Sequence, residues 1–189
     1  MDVVPDKRQR ILAAAARLIV RNGLQCSMAA IAEEASVATG SLYNYFASKE
    51  ELVLGVYTQV SAEMTERLMV PPDPSLSARE EVGRYIERYI DFIWEDAQRA
   101  RLFDYLDNNP LISLDDAKTV FGPFVLHGIA MIEAAQAEGA VRAGTPTMIT
   151  SFLRGSIRNT LKRRRLTETV LPAADRQLVA DMCWAAVRA

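Results

Sequence analysis

Apolar residues recur along this chain at intervals of three and four, the spacing that gathers them on one face of an α-helix, and no run of alternating β-branched residues lies between turn signals. The pattern predicts an all-α protein. The first helix starts at Asp6, whose carboxylate can cap it while Gln9 reaches back, and its inner stripe is Ile11, Ala15, Leu18 and Ile19. Asn22-Gly23 ends it, since glycine enters the left-handed region cheaply, and Leu24 supplies the apolar contact that follows such an end. Ser27 caps a very short second helix that buries Met28, Ile31, Ala32 and Ala35. After a turn at Ser36-Val37-Ala38, a third helix over about 39–46 sets Leu42 and Phe46 on one face and points Tyr43 and Asn44 elsewhere.

Ser48 followed by Glu51 forms a capping-box pattern and opens a long fourth helix with Leu52, Val56, Val60, Met64 and Leu68 inward. Pro71, Pro72 and Pro74 end it and mark a linker. Residues 77–96 carry a broad stripe of Val82, Tyr85, Ile86, Tyr89, Ile90 and Ile93. A shorter helix follows over about 98–107, before Asn108-Asn109-Pro110. The next runs from about Ser113 to Glu138 through Gly122-Pro123, where a kink is expected, and Gly139 closes it. Thr145-Pro146 is a cap with proline at the first helical position and opens a helix to about Arg164; Leu171-Pro172 starts the last one. The predicted division is a small unit over 1–52 and a larger helical one over 53–189.

The charge balance narrows the function without naming it. A net charge of −2 and a pI near 5.5 exclude a chain that is basic throughout, so a nucleic-acid binder must concentrate its cations locally. Residues 1–49 do so mildly, with Lys7, Arg8, Arg10, Arg17, Arg21 and Lys49 against Asp2, Asp6, Glu33 and Glu34. Uninterrupted apolar runs stay short of the roughly 18 residues that suggest a membrane span. The charged start MDVVPDKRQR lacks the apolar stretch of a secretory signal, and a cytoplasmic, membrane-free protein is expected. Cys26 and Cys183 have no CxxC spacing and read as buried thiols. His127 is the single histidine, which excludes a His-rich metal site, and no metal or cofactor is predicted. Without GxGxxG, GxxxxGK or HExxH, and with no second histidine for a relay, no enzyme is predicted.

The stretch TGSLYNYFASKEEL, residues 39–52, carries more polar and aromatic groups than a core helix can bury. Two short helices joined by a tight turn and braced by a longer first helix describe a helix-turn-helix, whose second helix can enter the major groove. Small residues Thr39, Gly40 and Ser41 allow close approach to bases; the tyrosine hydroxyls and Lys49 suit phosphate oxygens. Residues 10–57 resemble the DNA-binding domain of the TetR family of transcriptional regulators, through IAEEASV, GSLYNYF and SKEEL in succession. The resemblance implies Ser27, Thr39, Ser41, Tyr43, Tyr45 and Lys49 at or near DNA, with Gly40 in the same segment and Asn44 as a further reader. For Tyr45 a half-buried packing role stands beside the DNA contact, and Ser27 is a helix cap first. Three departures stand out: Ser36 where the family usually has the turn glycine, Ala38 in place of a capping serine, which can draw Thr39 into capping, and Ala29 where relatives are often basic.

Beyond residue 57 the resemblance is one of length and helix count. It implies a ligand-responsive regulator, commonly a repressor, that binds a palindromic operator as a homodimer and is released when a small effector shifts the long fourth helix. Apolar stripes late in the chain, Met148, Phe152, Ile157 and Leu161 with Leu178, Val179, Met182 and Ala186, are the candidate dimer face, with closure of the monomer's own core as the other reading. Tyr89, Phe92, Phe103, Phe124, His127 and Met131 are candidates for a pocket taking an apolar or aromatic effector; a plain core is the competing account. Lys162-Arg163-Arg164-Arg165 reads as a solvated helix end favourable to the dipole. The alternative function is an all-helical protein-interaction or lipid-binding module, which leaves GSLYNYF without a reason.

Overall fold

A computed structural model describes residues 6–106 and 111–189. Among the described residues the secondary structure is helical apart from a lone antiparallel bridge between Val141 and Arg188. The chain separates into two compact units, Met1–Ala62 with Arg101–Val120, and Glu63–Ala100 with Phe121–Ala189.

In the first unit, α1 (Lys7–Asn22) is capped by Asp6, which accepts the Gln9 N–H at 2.7 Å. The Gln9 side chain does not return the bond, because it pairs instead with the amide of Gln59. The whole predicted stripe Ile11, Ala15, Leu18 and Ile19 is buried, together with Leu12, Ala14 and Ala16. Gly23, at φ +70°, ends α1 by donating to Ile19, and a single 3-10 turn (Gly23–Gln25) leads on. Ser27 accepts the Ala30 N–H at 3.1 Å and starts α2 (Met28–Glu34). Glu34 joins α2 to α1 through Arg17 at 2.9 Å and Arg21 at 3.1 Å, exposed pairs that add little stability.

Helix α3 (Thr39–Tyr43) is one turn shorter than the spacing predicts, and α4 (Lys49–Leu68) follows it. The capping of α4 is shifted by one residue from the expected box: Ser48 Oγ accepts the Glu51 N–H at 3.2 Å, while Glu51 reaches the Ala47 N–H at 2.8 Å. At Gly55 a Cβ would stand 2.9 Å from Leu12 and 3.2 Å from the Phe46 ring, so glycine is what lets α4 approach α1 and the end of α3 so closely. Tyr57 is buried, and its hydroxyl donates to the Leu102 carbonyl at 3.0 Å. Ser61 likewise donates to the Val120 carbonyl, at 2.5 Å.

In the second unit, α5 (Ala78–Glu95) opens with a complete capping box between Ser77 and Glu80. Every residue of its predicted stripe is buried, and α8 (Pro146–Arg164) and α9 (Ala173–Val187) pack on it. α6 (Ala97–Leu106) precedes α7 (Leu114–Ala137), which runs on through Pro123 and buries Phe124, Gly128, Ile132 and Ala135 along one side. α7 is long and apolar enough to cross a membrane by length and composition alone, although it holds no uninterrupted apolar run of that length; one side of it is spent on the protein core. Thr145 stands at the cap position of α8 without a side-chain hydrogen bond, and Pro146 supplies the first-turn residue. The buried Arg99 is held by the Phe92 carbonyl, by Glu63 at 2.9 Å and by the Phe92 ring, 3.8 Å from its guanidinium carbon.

Candidate functional site

The end of α2 builds the turn that sets α3. The Ser36 N–H donates to Glu33 and the Val37 N–H to Ala32, both at 2.9 Å, the paired bonds that close a helix around a left-handed residue. Ser36 is that residue, at φ +54°. The departure from glycine therefore leaves the turn intact and places an ordinary side chain in a conformation that crowds its Cβ. Ala38, extended, stands at the cap position of α3 and supplies no side-chain bond. Thr39 is the first helical residue and remains exposed, so it is not drawn into capping as the sequence suggested.

The two sides of α3 are used differently. Leu42 and Phe46 are 0% and 1% exposed and anchor the helix to the core. Thr39, Gly40, Asn44, Tyr43 and Tyr45 face solvent, the tyrosines 50% and 40% exposed, and Ser41 is half-covered. Gly40 has no internal reason to be glycine: it lacks a positive φ, and a Cβ built there meets no atom within 4 Å. Ser27 is exposed, with its hydroxyl oxygen already accepting the cap bond of α2.

Lys49 departs from its expected role as a free phosphate ligand. Its ammonium donates to the Leu24 carbonyl, and the side chain is half-buried between the start of α4 and the α1–α2 connection. It thereby braces the first unit with one of the three N–H donors of its ammonium. The buried Cys26 thiol nearby is pushed up by desolvation, with the Lys49 charge opposing in part. Arg8, counted in the sequence only toward the local charge, takes a defined place here. It is exposed, with its guanidinium carbon 5.1 Å above the Phe46 ring, which sets a cation beside α3. No spacing rule connects positions 8 and 46; only the folded unit does.

The second unit has a cleft of about 420 Å³ formed by the end of α4, the proline-rich linker, α5 and α7. His127 and Met131 line it, with Leu68, Leu76, Tyr85 and Arg88. The other pocket candidates are core. Tyr89 and Phe124 are buried against each other and Tyr85, with ring centroids 6.1–6.4 Å apart. Phe92 lies beneath Arg99, and Phe103 is buried and belongs to the first unit. Burial pushes the His127 imidazole below its ordinary range, Arg154 adds to the effect, and Glu81 acts the other way.

The late stripes divide as well. Met148, Phe152, Leu178 and Met182 are exposed and Ala186 is half-buried. Ile157, Leu161 and Val179 are buried within the chain itself, so these three close its core and cannot form an outward face. Phe152 and Leu153 are adjacent in sequence but on opposite sides of α8: the outward stripe is 148 and 152, the inward one 153, 157 and 161. The cationic run is not uniformly solvated either. Arg165 donates to the Ile93 and Trp94 carbonyls at 2.9 and 2.6 Å, ending α5, and Arg164 pairs with Asp175 at 2.6 Å. Among the described residues no cluster of three histidine, cysteine or acidic side chains could hold a metal ion.

A three-helix unit with a left-handed turn before a short, outward-facing helix, on a longer helical body, defines a protein of the helix-turn-helix class. Residues 11–56 match the family model described as bacterial regulatory proteins, tetR family. A fatty acid metabolism regulator protein of Bacillus subtilis is 28% identical over 91 residues, 48% of this chain and 47% of that protein. The chain thus spans about half the length of the curated relatives it matches. Two solved structures share the fold nearly end to end. A TetR family transcription regulator from Marinobacter aquaeolei superposes with TM-score 0.81 at 18% identity, covering 96% of this chain and 95% of that one. A fatty acid degradation regulator, FadR, from Bacillus halodurans gives TM-score 0.76 at 17% identity, with 97% of each chain covered. Residues 11–56 thus carry the tetR-family sequence pattern, on a fold that the whole chain shares with TetR family structures.

Proposed function

We propose that this protein is a DNA-binding transcriptional regulator of the cytoplasm that inserts α3 into the major groove of a two-fold symmetric operator. The observation that carries the reading is the face of α3. Glycine costs about 0.5–1 kcal/mol relative to alanine inside a helix, and at Gly40 nothing in the fold requires it. A surface that must approach the backbone from outside supplies the reason. Around it Thr39, Asn44, Tyr43 and Tyr45 offer hydroxyl and amide groups, the chemistry that contacts phosphates and base edges. Ser27, Ser41 and the spare donors of Lys49 border the same face, and Arg8 adds a cation.

One short helix covers too little of a duplex for firm binding, so the regulator acts as a homodimer. Met148, Phe152, Leu178 and Met182, all large, apolar and exposed on α8 and α9, support pairing there. The cleft of the second unit is the effector site; α4, which starts at Lys49, ends at Leu68 in the cleft wall. Effector binding that favours the DNA-incompetent arrangement releases the operator and lifts repression. The names of the two fatty acid regulators support a metabolic regulator in general terms.

The test is fluorescence anisotropy with DNA flanking the protein's own gene, at fixed salt, for wild type and Gly40→Ala. The alanine variant should be more stable by roughly 0.5–1 kcal/mol and bind this DNA more weakly. Unchanged affinity would remove α3 from the interface. Absence of sequence-specific binding by the wild type would overturn the regulator itself.

A further inference from the structure

The cleft of the second unit has an apolar wall and one charged side chain with no hydrogen bond or ion pair among the described residues. Leu68, Val70, Leu76, Ala130 and Met131 provide apolar surface. Most polar groups of the wall are already engaged. Arg84 donates to both Glu81 oxygens, at 2.7 and 2.6 Å, and to the Pro71 carbonyl at 3.1 Å. Asp73 accepts from the Ser75 N–H and hydroxyl at 2.9 and 2.6 Å. Glu138 accepts the Ala78 N–H at 3.3 Å, at the positive end of α5. Arg88 is different. It is half-buried on the wall and has no hydrogen bond or ion pair with any described residue.

A second cation reinforces it from behind the wall. Arg154 donates to the Tyr85 hydroxyl at 2.7 Å and to the Phe124 carbonyl at 3.3 Å, and its guanidinium carbon lies 4.2 Å from the Phe124 ring centroid; no carboxylate pairs with it. Desolvation, with the Arg154 charge adding to it, pushes the His127 imidazole on the cleft below its ordinary range. Half-burying a guanidinium without a counter-ion is unfavourable, and an anion brought to it makes charge-assisted hydrogen bonds in a partly desolvated setting.

Resting on the reading of this cleft as the effector site, we propose that the effector is an amphipathic carboxylate, its hydrocarbon chain along the apolar wall and its carboxylate on Arg88. A volume of about 420 Å³ suits a small-molecule ligand of this kind. A neutral alcohol or ester lacks the anionic end that Arg88 selects, and an amine is repelled by it.

The experiment is calorimetric titration of the full chain with decanoate, 1-decanol and decylamine, probes of equal length and different head charge. Decanoate should bind at least about tenfold more tightly than the other two. Arg88→Gln should erase that preference and leave decanol unaffected, Arg88→Lys should keep most of it, and Ala130→Trp should block the cleft and abolish binding. Equal binding of decanoate and decanol, insensitive to Arg88→Gln, would overturn the anion assignment while leaving the cleft as an effector site. Tighter binding of decylamine would overturn it too, and so would equal loss of decanoate and decanol in Arg88→Gln, since Arg88 would then only support the fold. Binding that survives Ala130→Trp would place the ligand elsewhere. Failure of all three probes to bind would remove the effector cleft along with the assignment.

Discussion

Replacing Ser36 with glycine should stabilise this protein without altering what it binds. The residue sits at φ +54° between α2 and α3, held by the bonds from its own N–H to Glu33 and from Val37 to Ala32. An L-residue there carries a Cβ–carbonyl clash of roughly 1–2 kcal/mol. Glycine relieves the clash and returns about 0.5–1 kcal/mol through its greater freedom in the unfolded chain. The Ser36 side chain is exposed and makes no hydrogen bond that would be lost. The net expectation is a gain of about 0.5–1 kcal/mol, a melting rise of about 1–4 °C if the chain unfolds as one cooperative unit. Circular dichroism during urea and thermal unfolding measures both. Ser36→Val is the counter-experiment, because a β-branched residue is the least tolerant of positive φ and should lower stability by about 1–2 kcal/mol. If glycine fails to stabilise, or valine is tolerated as well as glycine, the turn is not under the crowding argued here.

Three further outcomes follow from packing and burial. Tyr57→Phe should cost about 1–1.5 kcal/mol in urea unfolding, since it removes the buried hydrogen bond that the hydroxyl donates to the Leu102 carbonyl at 3.0 Å. Gly128→Ala should cost about 1–3 kcal/mol, because the new Cβ would stand 2.2 Å from the Arg154 guanidinium and 3.3 Å from Thr150; Gly83→Ala, with open space around it, should be neutral or gain up to about 1 kcal/mol. Iodoacetamide at pH 8 should label Cys183 only after unfolding, since burial pushes its thiol up to about 11. The linkage has a matching sign: with the folded pKa above the unfolded one near 9, this thiol's contribution to stability is complete below pH 9 and is lost as pH rises towards 11, measurable as the difference from Cys183→Ala across that range.

Where a helix has one wet and one dry side, the sequence is enough. The stripes of α1 and α5 are buried residue for residue, because each such helix needs only one face covered and three-to-four spacing names that face. Helices with two apolar sides defeat the same logic. In α8, periodicity alone cannot tell 148 and 152 from 153, 157 and 161, and only the position of α5 decides which stripe is core. Aromatic residues mislead for a related reason: Tyr89 and Phe124 fill space as well as any ligand would, and stack together. Cations are the hardest to place. In the sequence Lys49 looks like a phosphate ligand and Arg165 like part of a solvated helix end, yet each donates to backbone carbonyls of a helix or turn distant in the chain.

The helix that faces outward is, taken alone, a poor helix. It spans five residues, contains a glycine, has no side-chain cap and follows a serine forced to positive φ, all features that disfavour local structure. It persists because Leu42 and Phe46 are clamped into the core, where Gly55 lets α4 close over Phe46. Stability therefore comes from two inward side chains, and the remaining positions of α3 are released from any duty to the fold. That division leaves Thr39, Gly40, Tyr43, Asn44 and Tyr45 free to vary while the anchor stays. It also explains why α3 stands out in the sequence: its residues are ones the core does not need, at positions where helix propensity argues against them.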